Sequence, residues 1–84
     1  MYPECQLFIT AHCHLCEQAE AEVMPWVERG LWVELIDIVD HPQFCASYQM
    51  RVPVLRRVDT GGELDWPFEV EQIAAFLAYD PSRP

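Results

Sequence analysis

The chain has 84 residues, 14 acidic and five basic side chains, and a formal net charge of −9. Its 51% apolar content supports a packed core, and its length allows a single small domain over residues 1–84, with the core spanning about residues 5–79. The cations are Arg29, Arg51, Arg56, Arg57 and Arg83, with no lysine, so nucleic acid and anionic membrane surfaces are excluded as expected partners.

Cys5 to Thr10 is short, largely apolar and β-branched or aromatic toward its end, which predicts a buried strand. Ala11 to Leu15 reads as a loop. From Leu15 the apolar residues Leu15, Ala19, Val23, Trp26 and Val27 follow helical spacing, with Glu17, Gln18, Glu20, Glu22 and Glu28 on the wet side. Pro25 falls inside this pattern. It removes a backbone donor and crowds the carbonyl of Ala21, so a kink or an early end is expected there. Gly30 is the expected C-cap.

Leu31 to Val39 is nearly all apolar, as in a strand covered on both faces. Asp40-His41-Pro42 opens a short helical piece through about Tyr48, with Asp40 as cap. Pro53 to Val58 is a third strand. Asp59 to Gly62 forms a hairpin turn, and Glu63 to Trp66 returns as a fourth strand. Val70, Ile73, Ala74 and Leu77 have the spacing of a closing helix. The order β-α-β-(α)-β-β-α predicts an α/β fold. Its first two strands are parallel, its last two form an antiparallel hairpin, and helices cover a mixed four-stranded sheet.

Cys13-His14-Leu15-Cys16 lies at the junction of the first strand and first helix. There, backbone N–H groups without intrahelical partners and the helix dipole stabilise a thiolate. Cys13 is the expected exposed nucleophile. Cys16, about one turn on, is the expected resolving thiol that closes a disulfide with it. No apolar run approaches the roughly 20 residues of a transmembrane helix, and Met1 to Cys5 lacks the features of an export signal. A cytoplasmic location is therefore expected, where four cysteines point to redox or metal chemistry rather than to a disulfide framework. A zinc site would have to draw on His12, His14, His41 and Cys45. The two histidines flank Cys13 too closely for joint chelation, and there is no second C-x-x-C, so redox chemistry is the preferred reading and no metal site is assigned. A protonated His14 would favour the thiolate, though the helix dipole disfavours a cation there. Glu17 and Glu20 read as solvated carboxylates, Cys5 and Cys45 as buried thiols, and His41 as a turn residue.

Arg51-Val52-Pro53 precedes the third strand, where proline is tolerated because it donates no ladder bond. A C-x-x-C after the first strand, a Val-Pro before the third, and the strings C-H-L-C, R-V-P-V-L and E-L-D-W-P-F together resemble the thioredoxin-like fold in its short glutaredoxin form. They are most similar to a bacterial family of small glutaredoxin-like proteins. The resemblance runs from about Gln6 to Tyr79. It implies thiol–disulfide oxidoreduction, with Cys13 and Cys16 as the redox-active pair. It also implies a cis peptide before Pro53, facing the cysteines, and a Val52 backbone that offers hydrogen bonds to the substrate.

Against typical dithiol glutaredoxins, His14-Leu15 replaces Pro-Tyr, and Thr10 replaces a lysine that helps bind glutathione. Arg51 replaces threonine, and Trp66-Pro67-Phe68-Glu69 replaces a Gly-Gly-acidic stretch at the other end of glutathione; Gly61-Gly62 belongs to the hairpin. Glutathione is anionic and this chain is acidic, so charge opposes it, with Arg51 the local exception. Arg51 is expected at the site, against the alternative of a solvated side chain. Trp66 and Phe68 are expected as an apolar platform for a substrate peptide, with core packing the alternative for Trp66. No tightly bound cofactor is expected. The expected partners are protein or low-molecular-weight disulfides and an outside reductase or thiol donor. Two other readings stay open: a metal or iron–sulfur binding module, and a redox-inactive thioredoxin-fold adaptor.

Overall fold

A computed structural model describes residues 2–80 of the chain. Alternation along β1 (Cys5–Ile9) sets up the whole architecture. Cys5 and Leu7 point to one face of the sheet and Phe8 to the other, and all three are closed to solvent. Each face collects its own core. On the first, Cys5, Leu7 and Leu55 meet Ala19, Val23, Phe68 and Ile73. On the second, Phe8, Ile36 and Val54 meet Ile38 and Tyr48, with Phe44 and Val52 packed against them. Helices α1 (His14–Glu28) and α3 (Val70–Ala78) supply the first cluster, and α2 (Pro42–Tyr48) supplies the second. Burying a side chain such as Phe8 contributes about 1.5–3 kcal/mol.

The strands β1, β2 (Val33–Asp37), β3 (Val54–Arg57) and β4 (Glu63–Asp65) form one sheet in the order β2-β1-β3-β4. β1 pairs in parallel with β2, Leu7 opposite Leu35, and antiparallel with β3, Leu7 opposite Leu55. β3 and β4 form the hairpin, Leu55 opposite Leu64. This is the mixed four-stranded α/β fold expected.

Several local expectations need correction. β2 is not covered on both faces: it is an edge strand, and Leu35 is 52% exposed. It also ends at Asp37, whose carboxylate accepts from the Val39 N–H at 3.0 Å and caps a single 3₁₀ turn over Ile38–Asp40. Asp40 closes that turn instead of capping α2, which begins after His41 without a side-chain cap. α1 does not end early at Pro25 but passes through it and continues to Glu28. Its end is anchored by the Gly30 N–H to Val27 and the Leu31 N–H to Trp26, at 3.0 and 2.9 Å. That bonding needs Gly30 in the left-handed region, at φ 108°. β4 stops one residue before Trp66.

Candidate functional site

The sheet register brings three chain segments to one end of the molecule. Phe8 lies opposite Val54, so the C-terminal end of β1 sits beside Pro53 at the entry to β3. Val54 lies opposite Asp65, and the Trp66 N–H donates to the Pro53 carbonyl at 3.3 Å. β1 therefore hands the chain to Cys13 at the same end at which β3 begins and β4 finishes. Helices α1 and α3 both start there.

Between β1 and α1 the backbone turns through His12, which adopts φ 56°, a left-handed conformation in which histidine is better tolerated than β-branched residues. Cys13 follows as the N-cap of α1, with extended backbone, and its Sγ accepts from the Cys16 N–H at 3.1 Å. The Glu17 N–H donates to the Cys13 carbonyl at 3.2 Å, closing the first turn. The two sulfurs are bonded, with the Cα atoms 5.2 Å apart. Cys13 is half-buried while Cys16 is 2% exposed, so only the first sulfur is open to a reactant. In the reduced state the N–H and the positive end of the helix dipole would favour a thiolate at Cys13. The His14 Nδ1 lies 3.7 Å from the Glu17 carboxylate, with both side chains mostly in solvent.

Across the sheet end, the Val52–Pro53 peptide is cis, as the resemblance implied, and so is Trp66–Pro67. The Tyr48 carbonyl accepts from the N–H groups of Arg51 and Val52, at 2.8 and 2.9 Å. Of the Val52 backbone expected to offer hydrogen bonds to a substrate, the N–H is therefore taken up within the turn. Pro53 is buried beneath this turn.

Arg51 is drawn toward β4. Its Nη2 donates to Glu63 at 2.8 Å and to Asp65 at 2.6 Å, and its guanidinium lies 5.4 Å from the centre of the Tyr48 ring. The Tyr48 hydroxyl donates to the other oxygen of Glu63. That bond, and then the Arg51 guanidinium, hold the Glu63 carboxyl below the ordinary carboxylate range. Burial and the same bond push the Tyr48 hydroxyl upward. Tyr48, Glu63 and Asp65 were not singled out from the sequence. Glu63 and Asp65 share one strand face by their spacing of two, but nothing local places Arg51 opposite them.

Trp66 is half-buried and meets Phe68 edge-on, with ring centroids 5.0 Å apart. Phe68 itself is 1% exposed and belongs to the core, a correction to its place in a substrate platform. It backs Trp66, which reaches the surface. Cys5 is sealed at the far end of β1, where burial pushes its thiol up to about 11. A cavity of about 380 Å³ opens at that far end, beside Cys5, Leu31, Arg57 and Leu77, away from Cys13 and Cys16. Cys45 lies on α2, with its Sγ 3.9 Å from the Gln49 side-chain oxygen. Among the described residues no three His, Cys, Asp or Glu side chains gather as a metal ion would require. No helix among them is long and apolar enough to cross a membrane.

Comparison with known proteins agrees with this geometry. The family described as Glutaredoxin-like domain (DUF836) matches residues 4–78. A search of curated proteins finds no match. The chain is similar to protein XcR50 from X. campestris, whose X-ray structure aligns at 35% identity over 92% of this chain and 99% of that one, with a TM-score of 0.78. The solution structure of XcR50 aligns at 33% identity over 93% and 96%, with a TM-score of 0.72. Protein Ne2328 from Nitrosomonas europaea aligns at 26% identity over 90% and 93%, with a TM-score of 0.70.

Proposed function

Since this chain belongs to the glutaredoxin-like domain family and has its thioredoxin-like fold, we propose that it is a thiol–disulfide oxidoreductase working through Cys13 and Cys16. The Cys13 thiolate attacks one sulfur of a substrate disulfide. The other substrate sulfur leaves as a thiolate and takes up a proton, and Cys13 is joined to the substrate through a mixed disulfide. The Cys16 thiolate then attacks the Cys13 Sγ and expels the second substrate sulfur, which is also protonated. Two electrons pass to the substrate, and the protein is left with the Cys13–Cys16 disulfide. An outside thiol or reductase returns it to the dithiol. The substrate would lie along the Val52 backbone, over the buried Pro53, with Trp66 and its support Phe68 on one side and Arg51 at the edge.

The observation that carries this reading is the Cys13 sulfur at the N-terminus of α1, accepting from the Cys16 N–H, above a buried Cys16. No resident cofactor is part of the proposal, because the two thiols supply both electrons. Glutathione carboxylates would meet Thr10 and an Arg51 already bound to two carboxylates. A cytoplasmic setting fits a dithiol that must be kept reduced. Cys13→Ser should abolish reduction of a small disulfide such as hydroxyethyl disulfide, while Cys16→Ser should accumulate mixed disulfides visible by mass spectrometry. Equal residual activity in the two variants would overturn the order of attack. Alkylation of reduced Cys13 should follow a pKa below that of an ordinary free cysteine.

A further inference from the structure

Two cis-proline loops stand side by side at the cysteine end of the sheet, one before β3 and one after β4. The backbone bond that joins them, from the Trp66 N–H to the Pro53 carbonyl, is long at 3.3 Å. The short contacts come from side chains. Tyr48 is held flat against Phe8 of β1, with centroids 4.1 Å apart and planes within 13°. From that fixed position its hydroxyl reaches Glu63 on β4. Arg51, two residues before Pro53, reaches Glu63 and Asp65 at 2.8 and 2.6 Å. Charge-assisted bonds of this length are the stronger kind. Glu63 is the shared acceptor, taking Tyr48 on one oxygen and Arg51 on the other.

We propose that Glu63 is a positioning residue. By binding Tyr48 and Arg51 together, it ties the turn that leads into Pro53 to β4 and the Pro67 loop that follows it, and so fixes the two loops against which a substrate peptide lies. This rests on the oxidoreductase reading above. Glu63 acts through the Val52–Pro53 loop and has no part in the sulfur chemistry, so its loss weakens the hold on an extended substrate and leaves a small one unaffected.

The test compares two substrates in single turnover: the dithiothreitol-reduced, desalted protein with hydroxyethyl disulfide, and with the disulfide-linked dimer of an uncharged cysteine-containing pentapeptide. Glu63→Ala should raise the half-saturation concentration for the peptide disulfide about tenfold, with the limiting rate little changed. Its rate with hydroxyethyl disulfide should stay within about twofold of the parent protein. Glu63→Gln, which keeps an acceptor for Tyr48 but loses the charge facing Arg51, should give an intermediate rise. It serves as the test should Glu63→Ala fail to fold. An unchanged half-saturation concentration, or an equal slowing with both substrates, overturns the proposal and makes these contacts a matter of stability alone. Failure of the parent protein to reduce either disulfide would instead defeat the oxidoreductase reading.

Discussion

The same side chain has different chemistry at different positions in this protein. Cys13 caps a helix and receives an N–H, whereas Cys5 is sealed in the core and its thiol is pushed up to about 11. In the reduced protein at neutral pH, iodoacetamide should therefore modify Cys13 first and Cys45 more slowly, leaving Cys5 untouched until the chain unfolds; peptide masses would read the order. Cys5 also makes stability depend on pH. The unfolded chain loses this proton near the ordinary 9.0, while the folded chain keeps it to about 11. Stability from this source is full below 9.0 and is lost as pH rises toward 11. Tyr48, raised chiefly by burial, acts in the same direction. Urea midpoints across that window should fall, and Cys5→Ala should flatten the slope. An unchanged slope in that variant would assign it to Tyr48.

At the scale of elements, α1 shows tertiary packing overriding a local penalty. Pro25 removes one bond from the helix interior, yet the helix runs on to Glu28. Beyond the proline, Trp26 packs on the core and the turn at Gly30 anchors the last carbonyls. Pro25 is exposed, so replacing it disturbs no packing. Pro25→Ala restores a donor for the Ala21 carbonyl and should stabilise the protein by about 2 kcal/mol, the helix gain being partly offset by a freer unfolded chain. Urea denaturation measures this, and a loss of stability would overturn it. Arg57 works on another helix end: from β3 it donates to the carbonyls of Phe76 and Tyr79 at the end of α3 while paired with Asp59. A cation at a helix C-terminus is favourable.

For the whole molecule, net charge works against compactness. With a formal charge of −9 on 84 residues, self-repulsion raises the free energy of the folded state more than that of the expanded one. Raising salt from a few millimolar to about 0.2 M shortens the Debye length below the size of the domain, so the thermal midpoint should rise. The pairs of Arg51 and Arg57 oppose this trend, since screening weakens them. At 2.6 to 2.8 Å these pairs lie well within a Debye length and lose less to screening than the longer-range repulsion among the other carboxylates does. A midpoint that falls with salt would mean that these pairs outweigh the global repulsion.

The order of elements, the parallel β1–β2 pair, the hairpin and the C-x-x-C at a strand–helix junction were all legible in the sequence. The elements depend on residues within a few positions of one another: a period of two or 3.6, a capping position, a turn of Asp59 to Gly62; the parallel pairing follows from the helix that joins β1 to β2. The resemblance added the cis Pro53. What tertiary structure alone decided was which strands became edges and which charges met. Leu35 lies in an apolar run that reads as buried, but β2 became an edge, and a residue cannot register from its neighbours how many strands lie beyond it. Arg51 looked free to serve the sulfur site until the β3–β4 register set Glu63 and Asp65 within its reach. Phe68 and Trp66 flank the same proline, and only the packing of α3 sends one inward and leaves the other at the surface. These outcomes are contacts between residues distant in the chain, and their energies exist only once the fold has brought both partners together.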